Sequence, residues 1–482
     1  MREPHILVRV PSIASCPPQQ TPDTQIPDAE DEELHLGRFA TSSEIKTLRT
    51  PTFEPLFRCN RPHTAAPPIP ITLLHPEFNL FLEECDWRQP SKEDNAFALE
   101  LAREMSGFFD GDIDRRASFL RVCENHGLSF AASKIKGTEY RTDGDMRYNE
   151  LIYCLAEQTL EMGSESAEPV FKAGIYYMYN IRGNPEFLKV YSPFPCLGVY
   201  LIGATLGFFG LVFTDNTHIQ VLGPALRLDY HHTDVKLRRM TSRYLGAFRR
   251  STERLRKYYE TEYPKLKSLD HPSRPDPRFP CYNRYTPLVD SAAEECEITY
   301  TKHPRPDNLV FFGKVKDVAV CIKFTTSYSK EAHLHCASLG LAPKLLGFEE
   351  LPNGWCMVVM DRIDDEYIGL DDTWSNSIPL HIGLRDSITN ALASLHQAGY
   401  VHGDFRAANV MVRRDGREGL MLIDFDWAGR DGEVCYPMNV NSGRDLWRPE
   451  GSVDEAPILG GHDVEMVQHV LDAYVIPYFK DR

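Results

Sequence analysis

The sequence predicts an α+β protein of two folded domains behind a disordered N-terminal arm, and three observations carry that reading. Hydrophobic residues make up 42% and charged residues 25% of the 482, the balance of ordinary globular protein. The first fifty-odd residues are rich in proline, glutamine, threonine and acid, too poor in apolar groups to offset the entropy of ordering. A proline-studded stretch, HPSRPDPRFPCYNRYTP, then separates two halves that each carry both helical and strand patterning. These features set an arm over 1–52, an N-terminal mixed α/β domain over 53–268, a linker over 269–288 and a C-terminal domain over 289–482.

Composition excludes several classes. A formal net charge of −16 argues against coating nucleic acid or anionic membrane through the overall field. Twelve cysteines without a CxxC pair or a metal-ligand spacing read as reduced, intracellular thiols. MREPHILVRVPSIASCPP has too short an apolar run and too much proline for a signal peptide. The uncharged run from Cys196 to Phe213 reaches the minimum length of a membrane helix, but Gly198, Gly203, Gly207 and Gly210 interrupt it. Two buried strands turning near Gly203 account for it, closed by the polar residues 214–217, so no membrane span is expected.

Along the first half, apolar periodicity starts near Phe53 and continues through NAFALELAREMSGFF. TDGDMRYNELIYCL places Asp143, Asp145 and Glu150 beside a strand. LDYHHTD gathers Asp229, His231, His232 and Asp234, which could hold a metal or stand as a solvated loop. A helix is expected from Val235 to Glu260, with Leu237, Met240, Tyr244, Leu245, Phe248 and Leu255 on one face. Its Lys and Arg residues form the one basic patch of an acidic chain, read as a solvated face rather than a phosphate contact. After Ala292 the text turns to short strands and one long helix striped by Leu384, Ile388, Leu392 and Leu395.

The chemistry-bearing text starts at His402: YVHGDFRAANVMV, and then LMLIDFDWAG. Asp404 and Asn409 lie in a loop before the strand VMV, and Asp424 ends the apolar strand 420–423. One hairpin would bring all three to the same edge. A carboxylate and an amide oxygen suit Mg²⁺ held largely through phosphate oxygens, and the second carboxylate is left to accept a hydroxyl proton. Phosphoryl transfer needs those groups.

The string His402-Gly403-Asp404, four residues, Asn409, followed by Asp424-Phe425-Asp426, resembles the protein-kinase-like superfamily. Gly403 and Asp426 are similar to aminoglycoside and choline phosphotransferases and to divergent fungal kinase-like proteins. The resemblance implies a bilobal kinase-like fold for the C-terminal domain, with ATP and Mg²⁺ as cofactors. It implies Asp404 as catalytic base, Asn409 and Asp424 as Mg²⁺ ligands, and Lys323 of VAVCIKF as the contact to the α- and β-phosphates. Arg406 would stabilise charge on the transferred group. PNGWCMVVMDRID resembles a tight hairpin leading to the nucleotide hinge, with Met360 as gatekeeper and adenine bonding backbone between Asp361 and Ile363. Glu331 is the candidate ion-pair partner of Lys323, or else a solvated helix-start glutamate.

Three departures stand out. No glycine-rich loop precedes Lys323, only Gly313; no arginine precedes Asp404; and only some fifty residues follow the metal motif, with His462-Asp463 marking one remaining helix. The N-terminal half resembles the PD-(D/E)xK nuclease-like region of fungal, basidiomycete-type two-domain proteins, yet Glu150 is followed by Leu151 and Ile152 rather than by the lysine that chemistry needs. A degenerate binding or regulatory domain is the expectation there. The whole reads as an ATP- and Mg²⁺-dependent phosphotransferase, of Ser/Thr protein kinase type. A small-molecule kinase of aminoglycoside or choline type and a pseudokinase serving as an interaction module are the alternatives. Expected partners are ATP and a protein substrate, with nucleic acid a lesser alternative and no membrane, in an intracellular, cytoplasmic setting with the nucleus left open.

Overall fold

The uncharged run at 196–213 forms an antiparallel pair at the centre of a seven-stranded mixed sheet. The computed structural model describes residues 57–61, 68–163, 168–268, 276–288, 294–441 and 446–480; the arm expected over 1–52 lies outside them. Through the first half the main elements are α1 (Pro76–Trp87), α2 (Lys92–Met105), α3 (Asp112–Asn125), β1 (Gly144–Tyr148), β2 (Leu151–Thr159), α4 (Pro169–Arg182), β3 (Cys196–Ile202), β4 (Thr205–Phe213), β5 (Thr217–Val221) and α5 (Val235–Thr261). The sheet runs β5-β4-β3-β2-β1, and the pair Phe57–Arg58 extends it beyond β5. β2 and β3 are parallel, and α4 connects them.

The glycines that break the helical reading of this run have a packing reason. Gly198 lies opposite Phe209, and Gly207 lies opposite Tyr200, across the β3–β4 ladder. A Cβ at Gly198 would come within 2.1 Å of the Phe209 ring, and one at Gly207 within 2.2 Å of Tyr200. Each glycine therefore makes room for a cross-strand aromatic side chain. No helix among the described residues is long and apolar enough to cross a membrane.

Helix α5 covers this sheet with Tyr244, Leu245, Phe248, Leu255 and Tyr259, and Asp234 caps its start by accepting from Leu237 N at 2.9 Å. Lys236, Arg238, Arg239, Arg256 and Lys257 are exposed, as expected of a solvated face, but three arginines of the helix are not part of it. Arg250 meets Glu84 at 2.5 Å and Asp94 at 3.0 Å, while Arg254 meets Glu77 at 2.8 Å and Glu84 at 2.9 Å. Arg249 adds a second contact to the buried Asp94. The patch ties α5 to α1 and α2.

In the second half the main elements are β6 (Cys296–Lys302), β7 (Val310–Val315), β8 (Val318–Thr325), α6 (Lys330–Ser338), β9 (Leu345–Glu350), β10 (Cys356–Asp361), α7 (Leu384–Gln397), β11 (Val410–Arg413), β12 (Leu420–Leu422) and α8 (Gly460–Val470). One sheet runs β9-β10-β8-β7-β6 and ends on Arg284–Tyr285. Ile388, Leu392 and Leu395 of α7 share a second core with Val410, Leu422, Met466 and Val470. Part of the expected linker is packed: Cys281 N donates to Leu73 O at 2.7 Å, and Asn79 Nδ2 donates to the Tyr282 hydroxyl at 2.9 Å.

Candidate functional site

The loop 402–409 is held from beneath by one buried carboxylate. Asp463, in the first turn of α8, accepts from His402 N at 2.6 Å and Gly403 N at 2.9 Å, and its Oδ2 lies 3.2 Å from His396 Nε2. Gly403 has φ +77, and a Cβ there would meet the Trp427 carbonyl and Ile458 Cδ1, each at 2.9 Å. The missing arginine thus has a local steric cause: this backbone conformation and spacing admit only glycine without strain. His402 is fully buried; its Nδ1 accepts from Asp404 N, so Nε2 carries the hydrogen given to Ile423 O at 3.1 Å.

The β11–β12 hairpin brings the expected residues to one edge. Asn409 Nδ2 donates to both the Asp404 carbonyl and Asp404 Oδ2, each at 2.9 Å. Both amide hydrogens are so engaged, leaving Asn409 Oδ1 as the acceptor that a hard cation could use. Arg406 Nε lies 3.1 Å from Asp404 Oδ2, and Arg448 Nη2 lies 2.7 Å from Oδ1. Nothing in the sequence pointed to Arg448, which follows a short stretch outside the described residues.

Lys323 reaches across from β8. Its Nζ lies 2.5 Å from Asp424 Oδ1 and 2.7 Å from Asp426 Oδ1. Thr325 Oγ1 also donates to Asp426 at 3.2 Å. Burial alone would raise the Asp424 carboxyl, but Lys323, helped by Arg406, holds it below the usual carboxylate range. Asp426 goes the other way: burial, reinforced by the Asp424 charge, pushes it up to about 6 although Lys323 and Thr325 pull against this. One ammonium between two carboxylates leaves the corner short of positive charge. That deficit, with the hard oxygens of Asp424 and Asn409 beside it, fits a divalent cation carried on phosphates.

Glu331 does not join this group. It is exposed in the first turn of α6, behind the Ser329 cap, and makes no ion pair with Lys323 among the described residues. Only five residues separate the end of β8 from Glu331, which stays exposed, and Asp424 and Asp426 take the partner's place. Helix α6 is fixed to the site through other residues. Ser329 N donates to Phe425 O at 3.0 Å, and the His333 and Phe425 rings stack at 4.8 Å.

Met360 and Asp361 end β10, in register with Cys321 and Val320 of β8. Asp361 N already donates to Lys344 O at 3.0 Å, and Ile363 O already accepts from Glu366 N and Tyr367 N. Of the hinge donors expected to meet adenine, the N–H groups of Arg362 and Ile363 make no backbone hydrogen bond among the described residues.

The other clusters do not assemble into metal sites; among the described residues no group of three His, Cys, Asp or Glu side chains is placed to hold an ion. Asp229 pairs with Arg227, Asp234 caps α5, and His231 bonds Thr233. Glu150 sits exposed at the β1–β2 turn. Asp143 and the fully buried Glu157 converge instead on Lys172 of α4, at 3.4 and 3.1 Å. Burial raises the Glu157 carboxyl well above its ordinary value. A cavity of about 570 Å³ opens along α5 between Tyr153 and Arg249, Arg250, Arg254 and Arg256, whose charges are already met by carboxylates.

No family model matches the chain, and no curated protein matches it. Among solved structures, the kinase PK-1 of Cydia pomonella granulovirus aligns at 17% identity and a TM-score of 0.27. That alignment covers 33% of this chain and 60% of the viral one.

Proposed function

We propose that this protein is an ATP- and Mg²⁺-dependent phosphotransferase of the protein-kinase-like type, transferring to a Ser or Thr hydroxyl of a protein. The observation that carries the reading is the meeting of three chain segments: Lys323 of β8 pairs with Asp424, Ile423 N beside it donates to Asn409 O at 3.1 Å, and Asn409 Nδ2 holds Asp404. In this reading Lys323 leaves the Asp424–Asp426 pair to contact phosphate oxygens. Asp424 and Asn409 Oδ1 would hold the metal, and the chemistry supplied by Mg²⁺ when bound is neutralisation of phosphate charge. Asp404 accepts the proton of the attacking hydroxyl as its oxygen bonds the γ-phosphorus and ADP leaves. Arg406 faces the charge that develops on the transferred group. The residues 53–268 and 289–482 would act as two domains, the first in a binding or regulatory role.

A second reading, a catalytically silent interaction module, is favoured by one observation: both oxygens of Asp404 are engaged by arginines in this structure. Gly403 no longer favours a small-molecule acceptor, since packing against Trp427 explains it. Transfer of label from γ-labelled ATP to protein, lost in Asp404→Ala, is the expected result. Transfer retained in that variant, or absent from the wild type with every Ser/Thr substrate supplied, would overturn the reading.

A further inference from the structure

Asp404 is closed to any acceptor as it stands. Its side chain is 8% exposed, and Arg448, itself 5% exposed, lies on Oδ1 at 2.7 Å. Asn409 Nδ2 donates to Oδ2, Arg406 Nε stands 3.1 Å from it as an ion pair, and Oδ1 itself is buried and accepts no hydrogen bond. A general base must come within hydrogen-bond reach of the proton it takes, so one of the groups covering Asp404 must move aside. Asn409 cannot yield without losing its bond to the Asp404 carbonyl, which shapes the loop. Arg448 belongs to a separate segment and is positioned by independent contacts. Its guanidinium stacks over the Trp427 ring at 4.6 Å, Nε donates to Asn441 O at 3.4 Å, and Nη1 approaches Met466 Sδ at 3.8 Å. Such a stacked, planar cation is a built feature of the acceptor side and not a surface ion pair.

We propose that Arg448 is a gating residue of the acceptor site, which keeps Asp404 from water until an acceptor hydroxyl displaces it. The inference rests on the phosphotransferase reading. Without the gate, water would give its proton to Asp404 as its oxygen bonds the γ-phosphorus and the bridging oxygen leaves with ADP, spending ATP without an acceptor. Arg448 acts through Asp404 and touches no reacting atom itself. It is a positioning residue.

The test uses the full chain as wild type, Arg448→Ala and Arg448→Gln, the second keeping bulk beside Trp427 while removing the charge. Carboxylates are labelled with a water-soluble carbodiimide and glycine ethyl ester and read by mass spectrometry, and Mg-ATP hydrolysis is measured without acceptor. Both variants should show Asp404 newly labelled and hydrolysis raised at least about tenfold, the lower part of what a general base contributes. Equal labelling of Asp404 in wild type and variants overturns the gate, as does new labelling without faster hydrolysis in proteins that bind Mg-ATP. Absence of Mg-ATP binding by thermal shift in all three defeats the phosphotransferase reading instead, and the labelling then decides the gate alone.

Discussion

The Nζ of Lys323 lies 2.5 Å from Asp424 Oδ1 and 2.7 Å from Asp426 Oδ1, so one ammonium serves two carboxylates. Removing it in Lys323→Met leaves two acids facing each other in a corner with little water. The expected loss is about 1–3 kcal/mol in urea denaturation, below the full buried-pair value because both acids keep partial exposure. Asp426→Asn in the same background should restore part of the loss, since it removes the repulsion.

Acidity gives a second prediction. The Asp426 carboxyl is pushed up to about 6 in the folded chain, first by burial and then by Asp424. A carboxyl raised on folding binds its proton more tightly in the native state. Its stabilising contribution is therefore complete below the unfolded value of about 4 and is lost as pH rises through about 6. The difference in unfolding free energy between wild type and Asp426→Asn should change across that window and stay flat above pH 7. A difference independent of pH from 4 to 7 would contradict the assignment.

Asp463 should behave as the anchor of the loop at Asp404. Its buried carboxylate accepts two backbone N–H groups, from His402 and Gly403, and charged acceptors of this kind are worth about 1.5–3 kcal/mol each. Asp463→Ala should lower stability by several kcal/mol and speed amide exchange at residues 402–404, more than at α7 or β11. Unchanged exchange there would contradict the anchoring role.

Glycine substitutions separate conformation from composition. Gly403→Ala places a Cβ 2.9 Å from the Trp427 carbonyl at φ +77 and should cost about 1–3 kcal/mol. Gly461→Ala, in the first turn of α8 with nothing within 4 Å of its Cβ, should be neutral or stabilising by up to about 1 kcal/mol. Thermal unfolding of the two variants reads both signs.

Much of this was legible in the sequence because it depends on local pattern. The strand pair at 196–213, the helix from Val235 and the hairpin carrying Asn409 and Asp424 follow from periodicity and turn residues alone. What stayed hidden depends on partners far along the chain. Arg249, Arg250 and Arg254 of α5 read as part of a solvated face because Asp94, Glu84 and Glu77, their partners, lie more than 150 residues away. Sequence order points from Lys323 to Glu331, whereas Asp424 and Asp426, about a hundred residues further on, fill that place. Arg448 carries no motif at all; only its stacking on Trp427 and its approach to Asp404 give it meaning.

In the proposed function, Lys323, Asp424 and Asn409 would form a site for ATP carried with Mg²⁺. The most direct measurement is thermal unfolding of wild type and Asp424→Ala with and without Mg-ATP. Ligand at about a hundred times its dissociation constant adds about 2.7 kcal/mol, so the wild type should shift upward by several degrees and the variant should not. A wild type indifferent to Mg-ATP, or a variant that shifts equally, would contradict it.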